Sequence, residues 1–81
     1  MSDLMGHIPF NNIWIYSDPI DGRKQINGLI DVVLGVLEKT PDNGDMYIFR
    51  NRKSNRIKIL LWERNGYFLG VKRLEKGTFH F

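Results

Sequence analysis

Residues 56–75 read RIKILLWERNGYFLGVKRLE, two apolar runs separated by Asn65-Gly66. Asn-Gly tolerates the positive φ angles of a type I′ turn, so this pair predicts a β-hairpin with a two-residue turn at its centre. The two strands are then residues 56–64 and 67–75. Their content of β-branched and aromatic residues is typical of strands.

The predicted turn decides which residues of the hairpin share a face of the sheet. With Arg64 opposite Tyr67, counting outward pairs Trp62 with Leu69, Leu60 with Val71, and Arg56 with Glu75. The opposite face is equally apolar and carries Ile57, Ile59, Leu61, Phe68 and Leu74. We therefore expect a hairpin that needs cover on both faces, or that leaves apolar surface exposed.

Upstream of the hairpin, the sequence predicts one helix and two more strands. Between residues 23 and 39 the apolar side chains recur at the spacing of one helical face, with Asp21 as the N-cap. The turn residues 40–44 end this helix. Short β-branched and aromatic runs predict strands at residues 13–16 and 46–50, and the alternation in residues 78–81 predicts a further edge strand.

These elements predict an α+β fold, in which one amphipathic helix packs on an antiparallel sheet of four to five strands in the order β-α-β-β-β. Residues 1–81 are interpreted as a single domain, with residues 1–12 as a loose leader. One helix covers one face of such a sheet. The second face is left to the N-terminal segment, to a partner, or to residues that this chain lacks.

Composition argues against several classes of function. The 81 residues include no cysteine and two histidines, His7 and His80, which excludes a disulfide, a thiolate nucleophile and a conventional zinc shell. No nucleophile elbow or phosphate-binding glycine loop is present, and Asp18 with Asp21 is more simply a turn and a cap than a magnesium pair. We therefore expect no enzyme activity, no cofactor and no metal site.

The chain also has no apolar run near the roughly 20 residues that span a bilayer. We therefore expect a cytoplasmic protein that does not contact membranes.

Positive charge is concentrated in the second part of the chain. Residues 1–49 hold three basic and seven acidic side chains, a net charge of −4, whereas residues 50–81 hold nine basic and two acidic ones, a net charge of +7. Together these give the overall net charge of +3. A segregated positive charge attracts polyanions, of which nucleic acid is the most common.

The densest basic run lies between two predicted strands and comprises Arg50, Arg52, Lys53, Arg56 and Lys58. Guanidinium and ammonium groups bind phosphate oxygens, so this run predicts contacts to a nucleic-acid backbone. The alternative is a hairpin tip whose charges only keep it solvated.

Further cations could extend such an interface. Arg23 and Lys24 stand at the predicted helix start, where free backbone amides favour an anion; alternatively their side chains pair with Asp18 or Asp21. Lys72 and Arg73 are possible extensions in the last strand of the hairpin. Aromatic residues could stack on unpaired bases, although at strand spacing they are more often core: Tyr47, Phe49, Trp62, Tyr67, Phe68, Phe79 and Phe81.

Seven spaced elements together resemble a known family. They are Ile20-Asp21-x-Arg23-Lys24, Gly28-Leu29, Phe49-Arg50-x-Arg52, Arg56-Ile57-Lys58-Ile59-Leu60, Trp62, Gly66-Tyr67 and Lys72-Arg73-Leu74-Glu75-x-Gly77. The chain is similar, over roughly residues 13–81, to the Orf2-like accessory protein (TnpB) of bacterial insertion sequences of the IS66 type. Members usually continue beyond the position of Phe81, so we expect a C-terminal segment of the family to be absent here.

The resemblance implies a non-enzymatic protein that is encoded beside a separate transposase and is needed with it for efficient transposition. We expect its partners to be DNA at the element ends and that transposase, and self-association stays open. The leading hypothesis is a DNA-binding accessory factor that uses the nine cations named above. One alternative is an adaptor that docks on the transposase or on a second copy through an apolar sheet face; another is RNA binding at unpaired regions.

Overall fold

The computed structural model describes residues 11–79. One helix and four strands follow the predicted β-α-β-β-β order: β1 (Ile13–Ile15), α1 (Ile26–Gly35), β2 (Met46–Arg50), β3 (Arg56–Glu63) and β4 (Gly66–Arg73). The strands form one sheet in the spatial order β1-β2-β3-β4. The α+β class is confirmed, with four strands in the sheet.

The sheet is mixed, so the prediction of an antiparallel sheet is wrong at one edge. β1 pairs with β2 in parallel, with Trp14 opposite Tyr47, whereas β2, β3 and β4 pair antiparallel. The reason is the crossover. α1 carries the chain back along the sheet before β2 begins, and a strand that starts again from the same end must run parallel to the one before it.

The core lies between α1 and one face of the sheet. The helix contributes Leu29 and Val33, both fully buried, and the sheet contributes Tyr47, Phe49 and Leu60, which are also fully buried. Burying each aliphatic or aromatic side chain of this size stabilises the fold by about 1.5–3 kcal/mol. This layer therefore supplies most of the stability of so short a chain.

The β3–β4 hairpin forms as predicted, but its turn is Arg64-Asn65, one residue earlier than expected. Glu63 now faces Gly66, and Arg64 takes a positive φ of 61°. The pairs that were predicted from an Asn65-Gly66 turn are therefore wrong, and the observed ones are Trp62 with Tyr67, Leu60 with Leu69, Lys58 with Val71 and Arg56 with Arg73.

Side-chain pairing accounts for the observed register. Trp62 and Tyr67 meet edge to face with ring centroids 4.9 Å apart, and Leu61 lies opposite Phe68. Such cross-strand pairs stabilise a hairpin by amounts comparable with its turn preference. Because every pairing moves by two residues, each side chain stays on the face where it was predicted.

The helix is shorter than the predicted span of residues 23–39, and Asp21 is not its N-cap. Gln25 is the N-cap and makes no side-chain capping bond. The Asp21 carboxylate instead accepts hydrogen bonds from the backbone N–H of Arg23, at 2.9 Å, and from its guanidinium. Residues 21–24 thus form a separate turn, which leaves the helix to start at Ile26.

β1 is attached to the sheet through a buried carboxylate. Asp45 is 6% exposed and accepts a hydrogen bond from the Trp14 indole Nε1, at 2.7 Å, and one from the backbone N–H of Asn12. The Lys39 ammonium lies 3.7 Å from the centroid of the Trp14 ring. The backbone N–H of Asn11 is also bonded, to the carbonyl of Gly44.

Two sequence-based predictions fall partly outside the described residues. Of the leader, residues 1–10 lie outside them, whereas Asn11 and Asn12 are hydrogen-bonded as just described. Of the fifth strand, His80 and Phe81 lie outside them, whereas Thr78 and Phe79 belong to no strand. Within residues 11–79, no helix is long and apolar enough to cross a membrane.

The second face of the sheet is apolar and is not covered by α1. It carries Met46, Ile48, Ile57, Ile59, Leu61 and Phe68, with Ile13 and Ile15 at its β1 edge. Met46 and Leu61 are buried, but Ile13 is 50% exposed and Ile15 is 59% exposed. The prediction that this sheet exposes apolar surface is therefore confirmed at the β1 edge.

The chain leaves α1 through Glu38, whose φ of 54° is left-handed and is unfavourable for a residue with a Cβ. We expect Glu38→Gly to raise the free energy of unfolding by roughly 1 kcal/mol, because glycine adopts this conformation without steric cost. Urea denaturation followed by circular dichroism measures the change. Glu38→Ala removes the same carboxylate but keeps the Cβ, so an equal gain in that control would contradict the backbone explanation.

Candidate nucleic-acid interface

The basic run predicted to bind phosphates extends from the last residue of β2, through the connection that follows, into the start of β3. We call residues 51–55 the basic loop. The Asn51 side chain organises this loop. Its Oδ1 accepts hydrogen bonds from the backbone N–H groups of Asn55 and Arg56, at 3.1 and 3.0 Å. Its Nδ2 donates a hydrogen bond to the side chain of Asn55, at 2.8 Å. Ser54 is held with a left-handed φ of 55°. These hydrogen bonds hold the backbone of the basic loop in a fixed conformation.

Neighbouring segments brace the basic loop from two sides. The backbone N–H groups of Leu74 and Phe79 donate to the carbonyls of Asn55 and Ser54, at 2.7 and 2.6 Å. Before the helix, Ile20 forms an isolated parallel bridge with Asn51. The segment before the helix and the segment after β4 therefore both contact this loop.

Three of the predicted cations point from the loop and from the start of β3 into solvent. Arg52, Lys53 and Arg56 are exposed, and none makes a salt bridge with another described residue. They line, together with Asp21 and Gly22, an open cleft of about 480 Å³, which we call the loop cleft. The cationic side chains are therefore gathered on one surface and are available to an anion.

Arg50 and Lys58 are placed differently. The guanidinium of Arg50 donates to the Ser54 hydroxyl and to the carbonyl of Ser17, at 3.1 and 2.7 Å, so it ties the loop to the segment after β1. Lys58 is 5% exposed and lies beneath the start of α1, where its Nζ donates to the carbonyl of Lys24. Burial, and then the nearby Arg56, lower the pKa of the Lys58 ammonium.

At the helix start, the alternative reading of Arg23 is the one observed. Its guanidinium lies 2.8 Å from the Asp21 carboxylate. This contact holds the pKa of Asp21 well below its usual range and raises the pKa of Arg23. The predicted anion pocket of free helix amides is wrong, because the amide of Arg23 is bonded to Asp21 and the helix begins later, at Ile26. Lys24 is half-buried.

The two cations of β4 lie on opposite faces of the sheet. Lys72 is exposed opposite Ile57, on the face away from α1. Arg73 lies directly opposite Arg56, on the helix side, and its guanidinium is 3.1 Å from the exposed carboxylate of Glu75. Surface pairs of this kind are weak and are screened by salt.

The aromatic residues are mostly structural. Tyr47 and Phe49 are fully buried in the core, and Trp62 packs against Tyr67 at the end of β3 that is remote from the basic loop. Phe79 is half-buried and lies beside the basic loop, because its backbone N–H donates to the carbonyl of Ser54. Of the predicted aromatic residues that the structure describes, Phe79 is therefore the one placed near the exposed cations, where an unpaired base could stack.

Among residues 11–79, no three histidine or carboxylate side chains lie close enough together to hold a metal ion. His7 and His80 lie outside the described residues. The side chain that the sequence-based reasoning missed is Asn51. Its signal was an asparagine repeated four residues later in a connection between strands, a pattern in which amide side chains bond to the backbone.

A family model matches most of the chain. Residues 11–81 match the family model described as IS66 Orf2 like protein. The chain is 35% identical over 69 residues to the uncharacterized protein y4jC of Sinorhizobium fredii, and 31% identical over 67 residues to the uncharacterized protein y4hO of the same organism. These alignments cover 85% and 83% of this chain.

The chain spans less than two thirds of those relatives: the alignments cover 59% of y4jC and 58% of y4hO. No solved structure shows significant similarity to it.

The role of Asn51 in the basic loop can be tested directly. We expect Asn51→Ala to expose the amide protons of Asn55 and Arg56, because both lose their acceptor, and to lower the free energy of unfolding by about 1–3 kcal/mol. Hydrogen exchange followed by NMR should show both amides exchanging roughly tenfold faster or more. The control is Asn65→Ala in the other hairpin turn. Unchanged protection of Asn55 and Arg56 in the Asn51 variant would contradict this assignment.

Proposed function

We propose that this chain, which belongs to the IS66 Orf2-like family of insertion-sequence proteins, assists transposition by binding DNA phosphates through its basic loop. Family membership supports the accessory role in transposition. The observation that supports DNA binding is a group of three exposed cations without salt bridges to described residues: Arg52 and Lys53 on the braced loop, and Arg56 at the start of β3. The chemistry of strand cleavage and joining is assigned to a separate transposase.

The arrangement of the loop suits a phosphate backbone. Arginine forks bind phosphate oxygens through two N–H groups at once, and each neutralised phosphate releases counterions. A loop that is already ordered by Asn51 loses little conformational entropy on binding. Such contacts position a protein on DNA but carry no sequence information, so we propose binding of similar strength to many sequences.

Duplex DNA is the preferred ligand in this proposal. Binders of unpaired strands combine cations with exposed rings, and here Trp62 and Tyr67 contact each other about six residues along β3 and β4 from Arg56. At about 3.3 Å per residue, this separation is roughly 20 Å. Preference for single-stranded RNA or DNA over duplex DNA would contradict this part of the proposal.

The proposal predicts a salt-dependent affinity that depends on these three residues. We expect log affinity for duplex DNA to fall with log salt concentration with a slope of about −3 or steeper, roughly −0.9 for each phosphate contact. The triple variant Arg52→Gln, Lys53→Gln, Arg56→Gln should lose most of the binding and most of this slope. Fluorescence anisotropy on the element's terminal repeats and on random duplex, at several salt concentrations, measures both.

A matched control separates local contacts from overall charge. Arg52→Gln and Arg64→Gln change the net charge equally, but Arg64 lies in the β3–β4 turn, at the opposite end of the sheet from the basic loop. Only Arg52→Gln should reduce the slope by about 1. Equal losses in both variants, or no binding by the native chain at low salt, would refute the DNA interface.

A second candidate function is supported by the exposed β1 edge of the sheet face that α1 does not cover. Ile13 and Ile15 are half-exposed next to further apolar side chains of β2 and β3 on the same face. Contiguous apolar surface of this kind is typical of protein interfaces. In this alternative, the chain docks on the transposase of the same element through this face, and the basic loop only steers the encounter.

The adaptor alternative predicts that a charge placed on this face weakens the complex. We expect Ile15→Glu to reduce co-purification with the transposase, while Leu34→Glu, at a similarly exposed apolar position on α1, leaves it intact. Light scattering of each variant also reports self-association. A complex that survives Ile15→Glu but is lost in the triple variant of the basic loop would contradict the adaptor alternative.

A further inference from the structure

A second cleft lies beside the loop cleft, between the helix start and the β3–β4 hairpin. It has a volume of about 350 Å³ and is lined by Gly22, Gln25, Arg56, Lys58, Val71 and Arg73. We call it the hairpin cleft. Three of its six lining residues are cations.

The hairpin holds two of these cations side by side. Arg56 and Arg73 are directly opposite across β3 and β4, where side chains on the same face start about 5 Å apart. Like charges in this position destabilise a hairpin. Lys58 follows two residues after Arg56 on the same face, so a third positive charge points to the same side of the sheet.

Lys58 adds a largely buried donor to the cleft. The residue is 5% exposed, and its Nζ makes one hydrogen bond within the described residues, to the carbonyl of Lys24. An ammonium group has three N–H donors, so two of them remain for another acceptor. Burial of a charge is costly unless it is paired and hydrogen-bonded.

The nearest carboxylates, Asp21 and Glu75, neutralise this cluster only in part, since Asp21 acts on Lys58 through space and Glu75 pairs with Arg73. Asp21 is engaged by Arg23, at 2.8 Å, and does not line the hairpin cleft. Glu75 contacts Arg73 at the rim, where its side chain is 77% exposed. An exposed pair of this kind is weak and is screened by salt, so Arg73 can exchange Glu75 for another anion at little cost.

We propose that the hairpin cleft is a binding site for one phosphate oxyanion, held by Arg56 and Arg73 from the rim and by Lys58 from the floor. Free inorganic phosphate and a phosphodiester of the DNA backbone both present negatively charged, non-bridging oxygens. Assigning the phosphodiester rests on the proposed DNA-binding function; the anion site itself does not. The bound anion offsets the repulsion between the two arginines and accepts a hydrogen bond from the buried ammonium.

Thermal unfolding of the full chain in potassium phosphate, against potassium chloride of equal ionic strength, tests the site. We expect a saturable rise in Tm of roughly 4–8 °C once phosphate reaches about five times its Kd. The variant Arg73→Gln should lose this rise, while Arg64→Gln, with the same change in net charge, should keep it. Because phosphate also stabilises proteins by exclusion from their surface, the difference between these variants is the decisive quantity.

A third variant gives an effect of opposite sign. Glu75→Gln removes the carboxylate that competes for Arg73, so the phosphate concentration at half of the Tm rise should fall roughly two- to fivefold. Phosphorus NMR line broadening of phosphate, titrated with the native chain, measures binding without unfolding. The absence of any phosphate-specific rise, or an equal rise in Arg73→Gln and the native chain, overturns the proposal.

The same variants separate this site from the proposed function. If Arg73→Gln lowers the affinity for duplex DNA, and free phosphate competes with DNA for the protein, the ligand of the cleft is a phosphodiester. If phosphate raises Tm specifically but the chain does not bind DNA, the anion site is supported and the proposed function fails. If DNA binding depends on Arg52 and Lys53 but phosphate causes no specific rise in Tm, the anion site in the hairpin cleft is refuted and the proposed function stands.

Discussion

A helix of ten residues covers one face of a four-stranded sheet, and most of the molecule follows from this packing. Leu29 and Val33 pack against Tyr47, Phe49 and Leu60, and these side chains form the buried cluster between the helix and the sheet. The crossover that brings α1 onto the sheet also returns the chain to the end where β1 started. That is why β1 joins the edge in parallel.

The same packing divides the basic residues into three groups. Lys58 lies on the covered face and becomes a buried donor to the helix start, whereas Arg52 and Lys53 leave the sheet in the loop and reach solvent. Arg56 and Arg73 sit at the open end of the covered face, where the helix no longer shields them. A protein that gathers like charges in this way loses some stability, and the phosphate ligand proposed above would offset that loss.

The sequence predicted the regular elements well where one periodicity dominated. The strand at residues 46–50 has its predicted bounds, and the apolar spacing between Ile26 and Leu37 identified the only region that forms a helix within the described residues. The helix start was predicted poorly, because the Asp21 side chain could either cap the helix or bind Arg23. The sequence does not show which of these contacts the Asp21 carboxylate makes. In the structure it binds the backbone N–H and the guanidinium of Arg23.

The sequence by itself determined the element order, a hairpin with two apolar faces, and the concentration of positive charge after residue 49, since all three depend on local composition and period. Only the tertiary structure decided the direction of β1, the hairpin register and which cations stay exposed. These depend on contacts between residues distant along the chain: Trp62 on Tyr67, and Lys58 on the carbonyl of Lys24. Each such contact competes with other partners of similar energy, and the packing of the whole fold selects among them.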